Sequence, residues 1–170
     1  ESMMEIEECL RRLLDEIKVK EDTMMVHITE CAGMVLGRDV VAEMMVPPFP
    51  KSAMDGYAVR AEDIAGASRE NPVKLKVVGE LLAGDYKEIP YEKNTAVRVM
   101  TGSYVPEGFD GVIRQEDTDY GEETVNVYAS VKSYANYCKV GEDIKAGDVV
   151  IKKNTRLTSS HVGILASIGE

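Results

Sequence analysis

Three prolines in four residues, Pro47-Pro48-Phe49-Pro50, fix backbone angles and remove amide donors. Neither a helix nor a central strand can run through them. What remains is a stiff loop that carries the chain from one structural unit into another. The run Lys51-Ser52-Ala53-Met54-Asp55-Gly56-Tyr57-Ala58-Val59 follows directly. Asp55-Gly56 reads as a turn pair, because Asp bonds its own backbone and Gly accepts positive φ. Tyr57, Ala58 and Val59 then suit a strand. Ser52 and Asp55 are thereby presented on a stiffened backbone just before a strand, a common setting for functional polar groups. Residue types alone favour the plainer alternative, a boundary loop whose Asp caps its own turn.

Periodicity divides the rest. Ile6, Leu10, Leu13, Leu14 and Ile17, with Cys9 at the edge, recur at helical spacing and predict an amphipathic helix over 5–19. Such a stripe is expected to face a core, a subunit interface being the lesser alternative. Residues 24–29 suit a short strand. Thr29 is then expected to cap a brief helix over 30–36 that stops at Gly37, and 39–42 returns as a strand. His27, alone among apolar neighbours, reads as a packed or partly exposed histidine rather than a ligand. Beyond the prolines, 60–64 suits one helical turn and 65–72 a loop.

From there the period becomes two. Val73, Leu75 and Val77 alternate with lysines, and Val97 and Val99 with Arg98 and Met100. Val125, Val127, Ala129 and Val131 share a face. Tyr120-Gly121 between 111–117 and 124–131 reads as a hairpin, so the middle of the chain is a small β domain. A further strand ends at Ile151, and Thr158 or Ser159 caps a helix holding Val162, Ile164, Leu165 and Ile168. The fold class expected is mixed and β-rich, α+β.

The 170 residues suffice for a real core without metal or disulfide support. No apolar run approaches the roughly 20 residues of a membrane span. A net charge of −10 and a pI of about 4.8 argue against a nucleic-acid surface. They also mean that an anionic substrate needs a bridging divalent cation or a basic neighbouring domain. Three scattered cysteines without a CxxC and two histidines support neither a disulfide framework nor a zinc site, and point to a reducing cytoplasm.

Four motifs, in order, carry a family resemblance. The octet Ser52-Ala53-Met54-Asp55-Gly56-Tyr57-Ala58-Val59, preceded by Pro47-Pro48-Phe49, closely resembles the signature of the MoeA/gephyrin family of molybdopterin molybdenumtransferases. Arg98-Val99-Met100-Thr101-Gly102, then Pro106-Glu107-Gly108, is similar to a second segment of that family. Val112-Ile113-Arg114-Gln115-Glu116 is similar to a third. Gly141-Glu142-Asp143-Ile144, followed by Gly147 and Thr155-Arg156-Leu157, is similar to a fourth.

The resemblance implies a β-rich domain over 47–140 inserted into a helix-and-strand dimerisation domain made of 1–46 with 141–170. The family's molybdopterin-binding domain and C-terminal barrel are absent from this chain, so an N-terminal fragment inactive by itself is expected. The implied chemistry is insertion of molybdate into adenylated molybdopterin with release of AMP, dependent on Mg²⁺. A homodimer and a molybdopterin adenylyltransferase are the implied protein partners. Asp55, Thr101 and Asp143 are the catalytic candidates, with Asp55 and Asp143 as hard oxygen ligands for Mg²⁺ or its water shell. Ser52, Gly56, Gly102, Glu116 and Glu142 are candidates for substrate binding, with the Thr101 hydroxyl and Gly102 amide as donors to an oxyanion.

Plainer readings stand beside these: a turn-forming Asp55, a strand-ending Thr101, solvated acids at Glu116, Glu142 and Asp143. One departure is visible before the last motif. Tyr134 stands where the family has a turn glycine, and Lys139 alone remains of its basic residues, although Asn136 is kept. Lysine offers a point charge instead of a bidentate grip. The alternative functions are a gephyrin-like scaffold without catalysis, or a small β module that shares only the fold.

Overall fold

The computed structural model describes residues 5–18 and 22–170. Its centre is a five-stranded curled sheet in which β3 (Gly56–Val59) is flanked by β5 (Thr95–Val99) and β6 (Gly111–Arg114), both antiparallel to it. On the far side of β5 lies β4 (Val73–Leu81), parallel to β5 and antiparallel to β7 (Thr124–Val127) at the edge. The order is β6-β3-β5-β4-β7. Side chains alternate across a strand. Tyr57 and Val59 therefore enter one apolar cluster with Ile64, Leu75, Ala96, Ile113 and Val125. Ala58 enters a second with Leu81, Val97, Val99, Val105, Phe109 and Val112. Covered on both faces, β3 is buried throughout.

The proline loop leaves a two-residue strand, β2 (Lys51–Ser52), paired with β8 (Tyr137–Cys138). A third cluster joins the two ends of the chain. Val40 of β1 (Val40–Val41) pairs with Ile151 of β9 (Val149–Ile151). Cys31, Ala42, Leu157, and Leu165 and Ile168 of α2 (Ser159–Ile168) pack around that pair. Thr158 precedes α2, its amide donating to Nδ1 of His161 at 3.0 Å, and Gly169 ends the helix at φ +82°.

Several expectations need correction. Helix α1 runs over Ile6–Glu16 and buries none of its residues, and the expected end at 19 lies outside the described residues. Ile6 and Leu13 are 81 % and 65 % exposed, so the stripe faces no core of this chain. Arg12 and Glu8 do pair on its outer side at 2.6 Å.

Residues 24–29 form no strand. A three-residue 3-10 helix spans Ile28–Glu30, capped by His27, whose Nδ1 accepts from the Thr29 amide. That replaces both the 30–36 helix and the Thr29 cap, and makes His27 an exposed cap. Gly37 is not left-handed; Thr23 packs where its Cβ would be.

The hairpin through Tyr120-Gly121 is also overturned. A 3-10 turn over Gln115–Asp117 redirects the chain, and β6 and β7 end on opposite edges of the sheet. Only the single bridge between Thr118 and Val127 remains of it.

Candidate functional site around Asp55

Antiparallel pairing dictates where Asp55 sits. Because β3 runs opposite to β5 and β6, it begins where both neighbours end. The residue ahead of Gly56 must therefore lie between the turn after β5 and the turn after β6. Oδ1 of Asp55 accepts from the amide and from the hydroxyl of Thr101, each at 2.8 Å. The Asp55 carbonyl accepts from the Gln115 amide at 3.0 Å. The turn itself is held by Ser52, whose Oγ donates to the Met54 carbonyl at 2.5 Å and accepts from the Met54 amide at 3.2 Å.

The Thr101 side is braced in the same way. The Gly102 amide donates to the Ser52 carbonyl at 2.8 Å, and the Ser52 amide donates to the Ser103 carbonyl at 2.9 Å. Buried Ser103 closes the loop, its Oγ donating to the Met100 carbonyl at 2.7 Å and accepting from the Met100 amide at 3.1 Å. Gly102 adopts φ +83°, the left-handed region that favours glycine, and no heavy atom lies within 4 Å of where a Cβ would stand. The space beside Thr101 is open.

The amide of Thr101, then its hydroxyl, hold the Asp55 carboxyl below the ordinary carboxylate range, and Arg98 adds to this. One oxygen is thus engaged while Oδ2 makes no hydrogen bond among the described residues. A charged, outward acceptor of this kind binds a hydroxyl, a water or one coordination position of a hard cation.

The donor roles expected of Thr101 and Gly102 need correction. Both Thr101 donors serve Asp55, and the Gly102 amide serves Ser52. Ser52, 1 % exposed, shapes the turn and meets no open space. Gly56 is buried against the Ile113 carbonyl, so its lack of a side chain serves strand packing.

The other acids lie apart in the hydrogen-bond network. Glu142 caps its own turn, Oε2 accepting from the Lys139 amide at 2.7 Å. Asp143 is exposed, and its amide donates to the Val46 carbonyl at 2.9 Å, at the start of the proline loop where Asp55 stands at the end. Glu116 is exposed in the turn after β6. Among the described residues no hydrogen bond joins these three to Asp55 or Thr101, and no group of three His, Cys, Asp or Glu is placed to hold a metal. Tyr134 and Asn136 both take positive φ, and the Tyr134 ring carries the Lys139 ammonium 4.2 Å from its centroid.

Sequence reasoning singled out neither Arg98 nor Gln115, the two side chains behind Asp55. The available signal was their position, three residues before Thr101 and one before Glu116 within the quoted motifs.

A strand-rich α+β chain with a braced Asp–Thr turn at the head of a buried interior strand is the class that fold and site define. The family model described as the MoeA N-terminal region (domain I and II) matches residues 4–169, and the chain belongs to that family. It is 37 % identical over 164 residues to a molybdopterin molybdenumtransferase of Staphylococcus epidermidis, covering 96 % of this chain and 39 % of that protein. To molybdopterin molybdenumtransferase 2 of Mycobacterium tuberculosis it is 40 % identical over 144 residues, 85 % of this chain and 36 % of that one. The crystal structure of a molybdopterin biosynthesis MoeA protein from Pyrococcus horikoshii superposes with a TM-score of 0.91 at 39 % identity, covering 96 % of this chain and 43 % of that chain. The chain thus spans about two-fifths of the length of these relatives.

Proposed function

We propose that this chain is the N-terminal region of a molybdopterin molybdenumtransferase, which inserts molybdate into adenylated molybdopterin and releases AMP. The observation that carries the reading is the Asp55–Thr101 pair, which keeps one carboxylate oxygen free beside an open glycine in a member of the MoeA family. In this reading the cleft is completed by a substrate domain beyond these residues, and Asp55, Thr101 and Asp143 face it. Residues 1–46 with 141–170 form one domain and 47–140 the inserted one.

The donor set suits Mg²⁺ only as a shared site. Asp55 Oδ2 offers one ligand, and phosphate oxygens and water must supply the rest, the usual habit of this ion. When bound, Mg²⁺ would neutralise the substrate's charge against a chain of net charge −10. Asp55 orients what it holds through Oδ2, and Thr101 keeps that oxygen turned outward. Full-length protein supplied with adenylated molybdopterin, molybdate and Mg²⁺ is expected to yield cofactor and stoichiometric AMP. Absence of turnover together with tight binding of a protein partner would instead favour a scaffold.

The exposed stripe of α1 supports a homodimer in which a second copy covers Leu10, Leu13 and Leu14. Leu13→Asp, at a position without core contacts, is expected to leave the unfolding free energy of the chain, read by urea titration, within about 0.5 kcal/mol of wild type. In sedimentation the full-length variant should shift from dimer toward monomer. A molybdopterin adenylyltransferase as supplier of substrate, and a cytoplasmic location, complete the reading.

A further inference from the structure

Arg98 is the charged side chain near Asp55 that the reading above leaves unused. It lies on β5 directly opposite Tyr57 of β3, with Cζ 4.9 Å from the centroid of the Tyr57 ring. Its Nη2 donates to Oε1 of Gln115 at 2.6 Å. Its Nη1 is buried and has no hydrogen-bond partner among the described residues. No salt bridge joins it to a carboxylate among those residues. Keeping a guanidinium in such a place is costly, because a buried donor loses hydration without replacement, and a methionine would fill the same slot.

Gln115 explains what the charge is coupled to. Its side chain holds Arg98, and its backbone amide donates to the Asp55 carbonyl at 3.0 Å. The field of Arg98 is also felt at the Asp55 carboxyl, behind the two Thr101 bonds in size. On its other side Arg98 stands opposite Glu80 of β4, which is exposed and makes no salt bridge with it. Arg114 is engaged by Asp117 through Nε at 3.0 Å and Nη2 at 2.9 Å, and Glu116 is exposed.

We propose that Arg98 is a positioning residue for Asp55: clamped against Tyr57, it holds Gln115, whose backbone amide fixes the Asp55 turn from behind. This rests on the reading of Asp55 as a functional group.

The test uses the full-length protein with adenylated molybdopterin, molybdate and Mg²⁺, and includes Asp55→Asn in parallel. Arg98→Met is expected to lower kcat roughly tenfold with KM within about a factor of two. Arg98→Lys keeps a charged donor for Gln115 and should recover part of the lost kcat. Gln115→Glu keeps the backbone amide but gives Arg98 an anionic partner, so melting temperature should hold while kcat falls. If Arg98→Met does not fold, Arg98→Lys and Gln115→Glu carry the test. Wild-type kcat in Arg98→Met and Gln115→Glu, with Asp55→Asn inactive, would overturn the role of Arg98 alone. Full activity in Asp55→Asn would remove the reading of Asp55 and this proposal with it.

Discussion

Gly56→Ala is expected to destabilise the fold by more than about 3 kcal/mol, a large share of the roughly 5–15 kcal/mol available to a domain. A Cβ on Gly56 would stand 2.0 Å from the Ile113 carbonyl oxygen and 3.1 Å from the Arg114 Cα. Both atoms belong to the backbone of β6, so no side chain can swing away to make room. Relief requires β3 and β6 to separate, which breaks a ladder running from Gly56–Arg114 to Val59–Gly111. That ladder closes the two apolar clusters around Tyr57 and Ala58, so the cost spreads into both. Urea unfolding of this chain reads the effect directly, and a midpoint equal to wild type would show that β3 and β6 are not packed at this distance. Gly102→Ala is a useful contrast, since its penalty comes from φ +83° alone and not from crowding.

Asp55→Asn is expected to leave the fold intact and to remove about 10²–10³-fold of the full-length transferase activity. The amide oxygen of Asn can still accept from the Thr101 amide and hydroxyl, so the brace survives. What disappears is the negative charge on the outward oxygen. The pH behaviour gives a second check. The folded carboxyl titrates below its ordinary value, chiefly through the Thr101 amide and hydroxyl, with Arg98 behind them. Its contribution is therefore present above the unfolded value and lost as pH falls through the folded one. Activity that depends on the anion should persist to pH values where an ordinary aspartate has begun to protonate. An Asp55→Asn enzyme with wild-type kcat at every pH would remove Asp55 from the chemistry.

The strands that alternate strongly could be read directly. Val73, Leu75 and Val77 mark β4, and Val97 and Val99 mark β5, because each buries a regular set of side chains. Pairing could not be read this way. The apolar pattern of 124–127 is the same whether its partner is β6 or β4, and the 3-10 turn at Gln115–Asp117 decides in favour of β4. The α1 stripe looked like core for a related reason: amphipathicity states that a face wants covering, not what covers it. His27 displaces Thr29 as a cap because the helical turn begins at Ile28, which puts the imidazole nitrogen ahead of the Thr29 amide.

At the site, family motifs pointed to Asp55 and Thr101, which turned out to be hydrogen-bonded to each other. Which donors would remain free was hidden, because it depends on Ser52 and Ser103 engaging the surrounding backbone. Arg98 escaped notice because an arginine alternating with valines reads as the wet side of a strand. Here that side is covered by Tyr57 and Gln115.

The hydrogen bonds to Asp55 itself come from chain that lies well downstream, Thr101 being 46 residues away and Gln115 farther still. Long-range closures of this sort are slow to form, because loop entropy must be lost before any contact rewards it. During synthesis the octet emerges without a fixed shape and acquires one only after β5, β6 and β8 have left the ribosome. The reactive geometry thus forms only once the chain through Cys138 is available.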